Sequence, residues 1–73
     1  MNAAKAKLPR RAEIEAKIIR LTRDRFMTLG EIAAALRMPN NTVRAKYLYP
    51  MANEGRLERK FPHKTSAQAY RAA

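Results

Sequence analysis

A short polar stretch near the middle of the chain carries the residue types with the most evident chemistry. Its members are Asn40, Asn41, Thr42, Val43, Arg44, Ala45 and Lys46. Amide, hydroxyl, guanidinium and ammonium groups donate and accept hydrogen bonds and attract anions, but they form no pair of nucleophile and base. The stretch therefore predicts binding to a polar, anionic partner rather than catalysis.

The charge of the whole chain also favours an anionic partner. The 73 residues include 16 Lys and Arg but only 6 Asp and Glu, which gives a formal net charge of +10. Self-repulsion on this scale opposes folding unless a polyanion or bound counterions relieve it. The length allows one domain, and a chain this short has a small core that a partner would help to stabilise.

Several function classes are disfavoured by what the chain lacks. It has no cysteine and one histidine, His63, so we expect neither a disulfide nor a metal site. Its acidic residues are scattered and it has only two glycines, so we expect no catalytic cluster, no phosphate loop, no enzyme and no cofactor. No apolar stretch approaches the roughly 18 residues of a membrane span, and we expect a cytoplasmic protein associated with the nucleoid.

The segment before the polar stretch predicts a basic arm and one amphipathic helix. Residues 1–8 are small and basic without periodicity, which is typical of a flexible arm. Ile14, Ile18 and Leu21 recur at i, i+4 and i+7. This spacing predicts a first helix over about residues 9–24, with its apolar stripe facing the core.

A second helix is expected to lead into the polar stretch. It begins at Leu29 or Gly30 and must end before Pro39, because proline disfavours helical geometry in the residue ahead of it. Only three or four residues separate it from the next helix, so the two must cross steeply, as in a helix-turn-helix. Arg37 occupies the place of the glycine common in such turns, and a positive φ there would carry a cost in backbone strain.

The third helix is expected to start near Thr42. Either Asn40 or Asn41 is predicted to cap it, because both side chains accept the free amide hydrogens of a first helical turn. Pro50 lacks an amide hydrogen, so it should kink or end the regular helix there, unless a new turn begins at Pro50 itself. We therefore expect a short third helix over about residues 41–49.

Short extended segments are expected to complete the fold. Gly55 suits the left-handed position after the third helix, and residues 56–61 and 69–71 predict a hairpin. Residues 26–28 would add a third short strand. The predicted fold class is mainly α with a small antiparallel sheet: three helices and a β-hairpin wing, a winged helix-turn-helix over residues 9–73.

Residues 12–71 resemble the winged helix-turn-helix transcription regulators through the series LGEIAAALRMPNNTVRAKYLYPMANEGRLERKF. The later part is similar to the winged-helix segment near the C-terminus of Fic-type proteins and helicase-related bacterial regulators. There is a more distant likeness to the small regulators of fimbrial phase variation. The matching positions are Tyr47, Leu48, Pro50, Met51, Gly55, Pro62, Lys64, Gln68, Tyr70 and Arg71. The resemblance implies DNA binding by the third helix.

In such a fold the third helix enters the major groove, where base edges display distinguishable donors and acceptors. With Tyr47 at core spacing and facing inward, Arg44 can fork to guanine and Asn41 can pair with adenine. Contacts with a thymine methyl are expected from Thr42 or Ala45. The predicted base-reading residues are Asn41, Thr42, Arg44, Ala45, Lys46 and Tyr49.

Blander interpretations of the same residues remain open. Asn40 and Asn41 could serve only as helix caps, and Arg44 and Lys46 could belong to a solvated face. Tyr49 points outward more clearly than Tyr47, which at core spacing is more typical of a partly buried anchor.

The wing, about residues 57–71, is the second predicted contact surface, lying on the backbone or in the minor groove, where cations help regardless of sequence. Gln68 is expected to fix the hairpin rather than to contact DNA. The predicted backbone contacts are Arg37, Asn40, Arg59, Lys60, His63 and Lys64, with Lys5 and Lys7 of the arm.

One further stripe on the first helix predicts self-association. Ala12, Ala16 and Ile19 lie roughly opposite the core stripe and could pack against a second copy. Incidental surface apolarity is the alternative.

The predicted function is sequence-specific binding to double-stranded DNA, by a small regulator or repressor of a bacterial, phage or plasmid gene. The alternative is a winged-helix interaction module whose basic face binds an acidic protein or RNA. Sequence preference and salt dependence distinguish the two.

Overall fold

The computed structural model of the chain describes residues 10–62 and 67–73. The predicted arm at 1–8, with Lys5 and Lys7, lies outside the described residues, as do His63 and Lys64. Within the described residues the helices are α1 (Arg10–Leu21), α2 (Leu29–Leu36) and α3, which runs without a break through Asn40–Val43, Arg44–Leu48 and Tyr49–Asn53. The strands are β1 (Met27–Thr28), β2 (Leu57–Arg59) and β3 (Ala69–Ala72).

The three strands form a small antiparallel sheet in the order β1-β3-β2. In β1, Met27 pairs with Tyr70, and in β2, Arg59 pairs with the same Tyr70 from the other side. The short third strand and the returning strand are thereby confirmed. The described part of the chain is mainly helical with this sheet at one end, which is compatible with a winged helix.

Helix α1 is shorter than predicted, since it ends at Leu21 rather than near residue 24. The buried Thr22 hydroxyl donates to the Ile18 carbonyl at 2.8 Å, which satisfies an acceptor in the last turn. The Thr22 carbonyl accepts from the Ala72 amide at 3.1 Å and so ties the end of α1 to β3. Tertiary contact with the sheet therefore sets this boundary.

Helix α2 begins with a capping box that the strand before it supplies. The Thr28 hydroxyl accepts from the Glu31 amide at 3.2 Å, while the Thr28 amide donates to the Glu31 carboxylate at 2.9 Å. At its other end Arg37 has φ 57° and ψ 45°, the left-handed conformation. The positive φ considered for Arg37 is confirmed, at a cost of roughly 1–2 kcal/mol for a residue with a Cβ.

The predicted asparagine caps of the third helix are wrong. Pro39 occupies the N-cap position with φ −62° and ψ 143°, and Asn40 and Asn41 are already helical. Proline locks φ near this value, so it suits an extended residue ahead of a helix. The Pro39 carbonyl accepts from the Val43 amide at 3.1 Å and closes the first turn.

Pro50 does not end the helical region, because a new α-helical segment, Tyr49–Asn53, has this proline in its first turn, which is the exception allowed from the sequence. The segment Arg44–Leu48 is a π-helix, in which the Tyr49 amide donates to the Arg44 carbonyl. This wider turn shifts the hydrogen-bonding pattern by one residue just before a proline that has no amide hydrogen to give. Gly55, at φ 81°, then ends the helical region as predicted.

The core lies between the three helices and the sheet. Its buried members are Ile14, Ile18, Met27, Ile32, Ala33, Val43, Tyr47, Leu48, Met51, Leu57 and Tyr70. Ala33 is 1% exposed, and its small side chain lets α2 and α3 approach closely. Every helix within the described residues is too short or too polar to span a lipid bilayer.

Candidate nucleic-acid interface

The six predicted base-reading residues lie on or beside the outward face of α3, and none of them is buried. Asn41, Ala45 and Lys46 are exposed, whereas Thr42, Arg44 and Tyr49 are half-buried. The opposite face holds Val43 and Leu48, both fully buried, and Tyr47, which is buried as predicted. Val43 and Leu48 are five residues apart, as are Arg44 and Tyr49, so the π turn aligns each pair on its own face.

Arg44 is held on this face by a neutral group. Its Nη2 donates to the Asn41 Oδ1 at 2.8 Å, between residues three apart on the helix surface. Neither Arg44 nor Lys46 takes part in an ion pair with an acidic group of the described residues. The positive charge of both side chains is therefore not offset by a carboxylate.

A second arginine is held by an amide where β2 meets the end of α3. The Arg59 Nη2 donates to the Asn53 Oδ1 at 3.2 Å, which joins the strand to the helix. Arg59 remains exposed. Its backbone pairs with Tyr70 in the sheet register. Arg59, a predicted contact of the DNA backbone, is thus fixed against α3, the predicted recognition helix.

The hydroxyl of Tyr70 lies among the polar groups of α3 and β2. Burial raises the pKa of Tyr70 above its ordinary value, and a negative charge on Tyr49 would act in the same direction. The charges of Arg59 and Arg44, and a hydrogen bond with Arg59, lower the pKa. Tyr70 pairs with Arg59 in the sheet, and Arg59 in turn contacts the end of α3 through Asn53.

Gln68 fixes the hairpin, as predicted. Its side chain accepts from the Phe61 amide at 2.9 Å and donates to the Phe61 carbonyl at 2.8 Å. The Lys60 amide donates to the Ala69 carbonyl at 2.9 Å, so strand-like pairing continues past Arg59. The strand predicted at 56–61 is nevertheless shorter, since Gln68 replaces backbone pairing at Phe61.

Carboxylates pair with four other arginines: Arg11, Arg25, Arg56 and Arg71. Arg56 contacts Glu15 at 3.0 Å, and hydrogen bonding to Glu15 raises the pKa of Arg56. Arg71 contacts Glu58 at 3.0 Å in a cross-strand pair. The other ion pairs are Arg11–Glu15 at 3.2 Å, Arg56–Glu54 at 3.6 Å and Arg25–Glu31 at 3.9 Å.

The remaining predicted contact residues are dispersed around α3. Arg37 is exposed in the turn before α3, Asn40 is exposed at the first position of α3, and Lys60 is exposed just after β2. Sequence reasoning missed the amide partner Asn53 and the tyrosine hydroxyl at Tyr70. The pairing of Arg59 with Tyr70 follows from the hairpin register, but the contact with Asn53 depends on how the strand crosses the helix.

The apolar stripe proposed for a dimer is partly used within the chain. Ala12, Ala16 and Ile19 are half-buried, and Ile19 packs against the core. Less apolar surface is left for a second copy than the helical spacing indicated, and the homodimer stays a prediction.

No group of three or more His, Cys, Asp or Glu side chains that could hold a metal occurs in residues 10–62 and 67–73. Comparison with known protein families, with curated proteins and with solved structures found no match.

Proposed function

We propose that this chain is a winged helix-turn-helix protein that binds double-stranded DNA in a sequence-specific manner. The order α1-β1-α2-α3-β2-β3, with β3 central in the sheet, supports this fold. In the proposed complex α3 enters the major groove, and the hairpin of β2 and β3 lies on the backbone or in the minor groove. The protein would act as a small regulator, most simply a repressor of a bacterial or mobile-element gene, on DNA in the cytoplasm.

The observation that carries the proposal is the outward face of α3. This face presents amide, hydroxyl, guanidinium and ammonium groups together, and Arg44 and Lys46 are outside the ion pairs of the described residues. Base edges in the major groove match these donors and acceptors, and phosphates match the cations. Binding needs neither a cofactor nor catalysis.

The net charge of the chain supports a nucleic acid as the partner. The net charge of +10 is large for 73 residues, and each phosphate that a cation neutralises releases a counterion. Binding to any duplex should therefore weaken steeply as salt rises. Sequence preference is the added property that separates a regulator from a non-specific binder.

Selection of bound duplexes from a random pool, at near-physiological salt, tests the proposal. The selected duplex should bind on the order of 10³-fold or more tightly than its scrambled version. Equal affinity for every duplex, together with salt-resistant binding to an acidic protein, would instead favour an interaction module.

Two arginine variants localise the contact. Arg44→Ala should reduce affinity for the selected duplex, whereas Arg20→Ala removes an exposed arginine of α1 and is the matched control. If both variants lose the same affinity for selected and scrambled duplexes, the proposed role of α3 is wrong.

A further inference from the structure

The contact between Asn41 and Arg44 points to different roles for these two residues on the outward face of α3. We infer that Asn41 is a positioning residue, which holds the Arg44 guanidinium ready for one guanine and does not itself pair with adenine. This inference rests on the proposed DNA-binding function.

The geometry sets the two roles. Bidentate pairing of asparagine with adenine needs both the amide oxygen and the amide nitrogen. The Asn41 Oδ1 accepts from the Arg44 Nη2 at 2.8 Å, which turns this oxygen toward Arg44 and uses one of its two lone pairs. Arginine has five N–H donors in a rigid fork, so one bond to Asn41 leaves a pair of donors for the O6 and N7 of guanine.

An amide suits this role better than a carboxylate. Glu58 holds Arg71 at 3.0 Å, but that pair has no net charge. Asn41 holds Arg44 at a similar distance without cancelling its charge or adding a negative charge that would face the phosphates. The guanidinium is thereby ordered before binding and still attracts the polyanion, which reduces the entropy that is lost when the complex forms.

The positions of Arg44 and Lys46 on α3 differ in exposure. Because the Tyr49 amide donates to the Arg44 carbonyl, Tyr49 follows Arg44 by one wide turn. Asn41 precedes Arg44 by one turn and holds its guanidinium. Arg44 is half-buried, whereas Lys46 is exposed.

Base preference at every position of the selected site, measured for single and double variants, tests the inference. Arg44→Ala should lower discrimination at one G·C position by roughly 5- to 150-fold, the range for a bidentate contact. Asn41→Ala should lower discrimination at that same position by about 2- to 12-fold, the cost of immobilising one flexible side chain. In the Arg44→Ala background, Asn41→Ala should have no further effect on base preference.

Two more variants separate positioning from general loss of contact. Asn41→Asp keeps an acceptor for Arg44, so it should restore the G·C preference relative to Asn41→Ala while weakening binding to all duplexes. Asn40→Ala removes the same kind of exposed amide one residue earlier. Because Asn40 is a predicted contact of the DNA backbone, this variant should weaken binding to all duplexes alike and leave the ranking of bases at every position as in the wild type. Thermal unfolding of each variant confirms that it is folded.

The outcomes distinguish this inference from the function on which it rests. Loss of preference at a separate A·T position in Asn41→Ala, additive with Arg44→Ala, makes Asn41 a base reader and overturns the inference. An unchanged profile in Asn41→Ala, with a changed one in Arg44→Ala, also overturns it. In both cases sequence-specific binding stands, whereas a wild-type protein with no preferred duplex refutes the proposed function itself.

Discussion

Two sets of arginines in this small domain differ in the group that holds them. Arg56 and Arg71 each contact a carboxylate at 3.0 Å, so their positive charges are offset within the fold. Arg44 and Arg59 donate to amide oxygens at 2.8 Å and 3.2 Å, so their guanidinium groups are ordered but keep their charge. Arginine is therefore neutralised by a carboxylate in one region, and it keeps its charge in the other, which is the region proposed to contact DNA.

This difference indicates how a very basic chain can fold and still keep the positive charge that the proposed DNA binding requires. Four of the six acidic residues, Glu15, Glu31, Glu54 and Glu58, form ion pairs with arginines of the described residues. Exposed ion pairs contribute little stability individually, but they reduce repulsion among neighbouring cations. The amides on α3 give order without this neutralisation, which is what an interface for a polyanion requires.

The largest expected effect comes from truncating a buried side chain beneath the face of α3 on which Asn41 holds Arg44. Leu48→Ala deletes a fully buried side chain in the π turn and should cost about 2–5 kcal/mol in the free energy of unfolding. A domain of this size has only about 4–11 kcal/mol in total. Urea denaturation measures the loss, and Lys46→Ala on the exposed face is the control, expected within about 0.5 kcal/mol of the wild type.

Replacing one arginine of each kind with alanine should have opposite effects on DNA binding and on stability. Arg44→Ala should weaken binding to the selected duplex by about 1–3 kcal/mol with little change in stability. Arg71→Ala should cost at most about 1 kcal/mol of stability and leave base preference intact. Binding isotherms and denaturation curves for both variants check this, and equal loss of sequence preference would remove the distinction between the two sets.

Removing the carboxylate that pairs with an arginine should make that arginine behave like Arg44 and Arg59, which keep their charge. Glu58→Gln removes the negative charge that pairs with Arg71, so affinity for all duplexes should rise and the salt slope should steepen by about one unit. Glu15→Gln removes the negative charge that pairs with Arg11 and Arg56, and it is the matched control for loss of one acidic charge. If neither variant changes the slope, β2 does not lie near the phosphates.

The smallest effect is expected from the tyrosine where the helix and sheet join. Because burial raises the pKa of Tyr70, the stability from its neutral hydroxyl is complete below the unfolded pKa of about 10 and is lost as pH rises through the folded pKa. Tyr70→Phe should therefore flatten the decline in the free energy of unfolding above pH ~10. An identical decline in the variant would mean that other groups cause it.

The sequence predicted the elements whose signals are local. The spacing of Ile14 and Ile18 indicated α1, Pro39 marked the end of α2, and residues 69–71 were recognised as the returning strand. The capping box of Thr28 and Glu31 also has a local signal, a threonine followed three residues later by glutamate.

Predictions failed where two local signals competed or where a contact depended on tertiary structure. Asparagine is a good cap, but the fixed φ of Pro39 placed the cap one residue earlier. Pro50 is tolerated because a π turn precedes it, and no spacing rule indicates that turn. The Asn41–Arg44 contact follows from helical spacing, whereas the Asn53–Arg59 contact requires the crossing of β2 over the end of α3.

The most direct test of the central claim is binding to selected duplexes in which each guanine is replaced in turn by 7-deazaguanine. This base lacks the N7 acceptor in the major groove and leaves Watson–Crick pairing and the phosphates unchanged. The wild-type protein should lose affinity at one guanine, and Arg44→Ala should be insensitive to replacement at that guanine. Wild-type binding that is unaffected by replacement of any guanine would contradict the claim that Arg44 on α3 reads DNA.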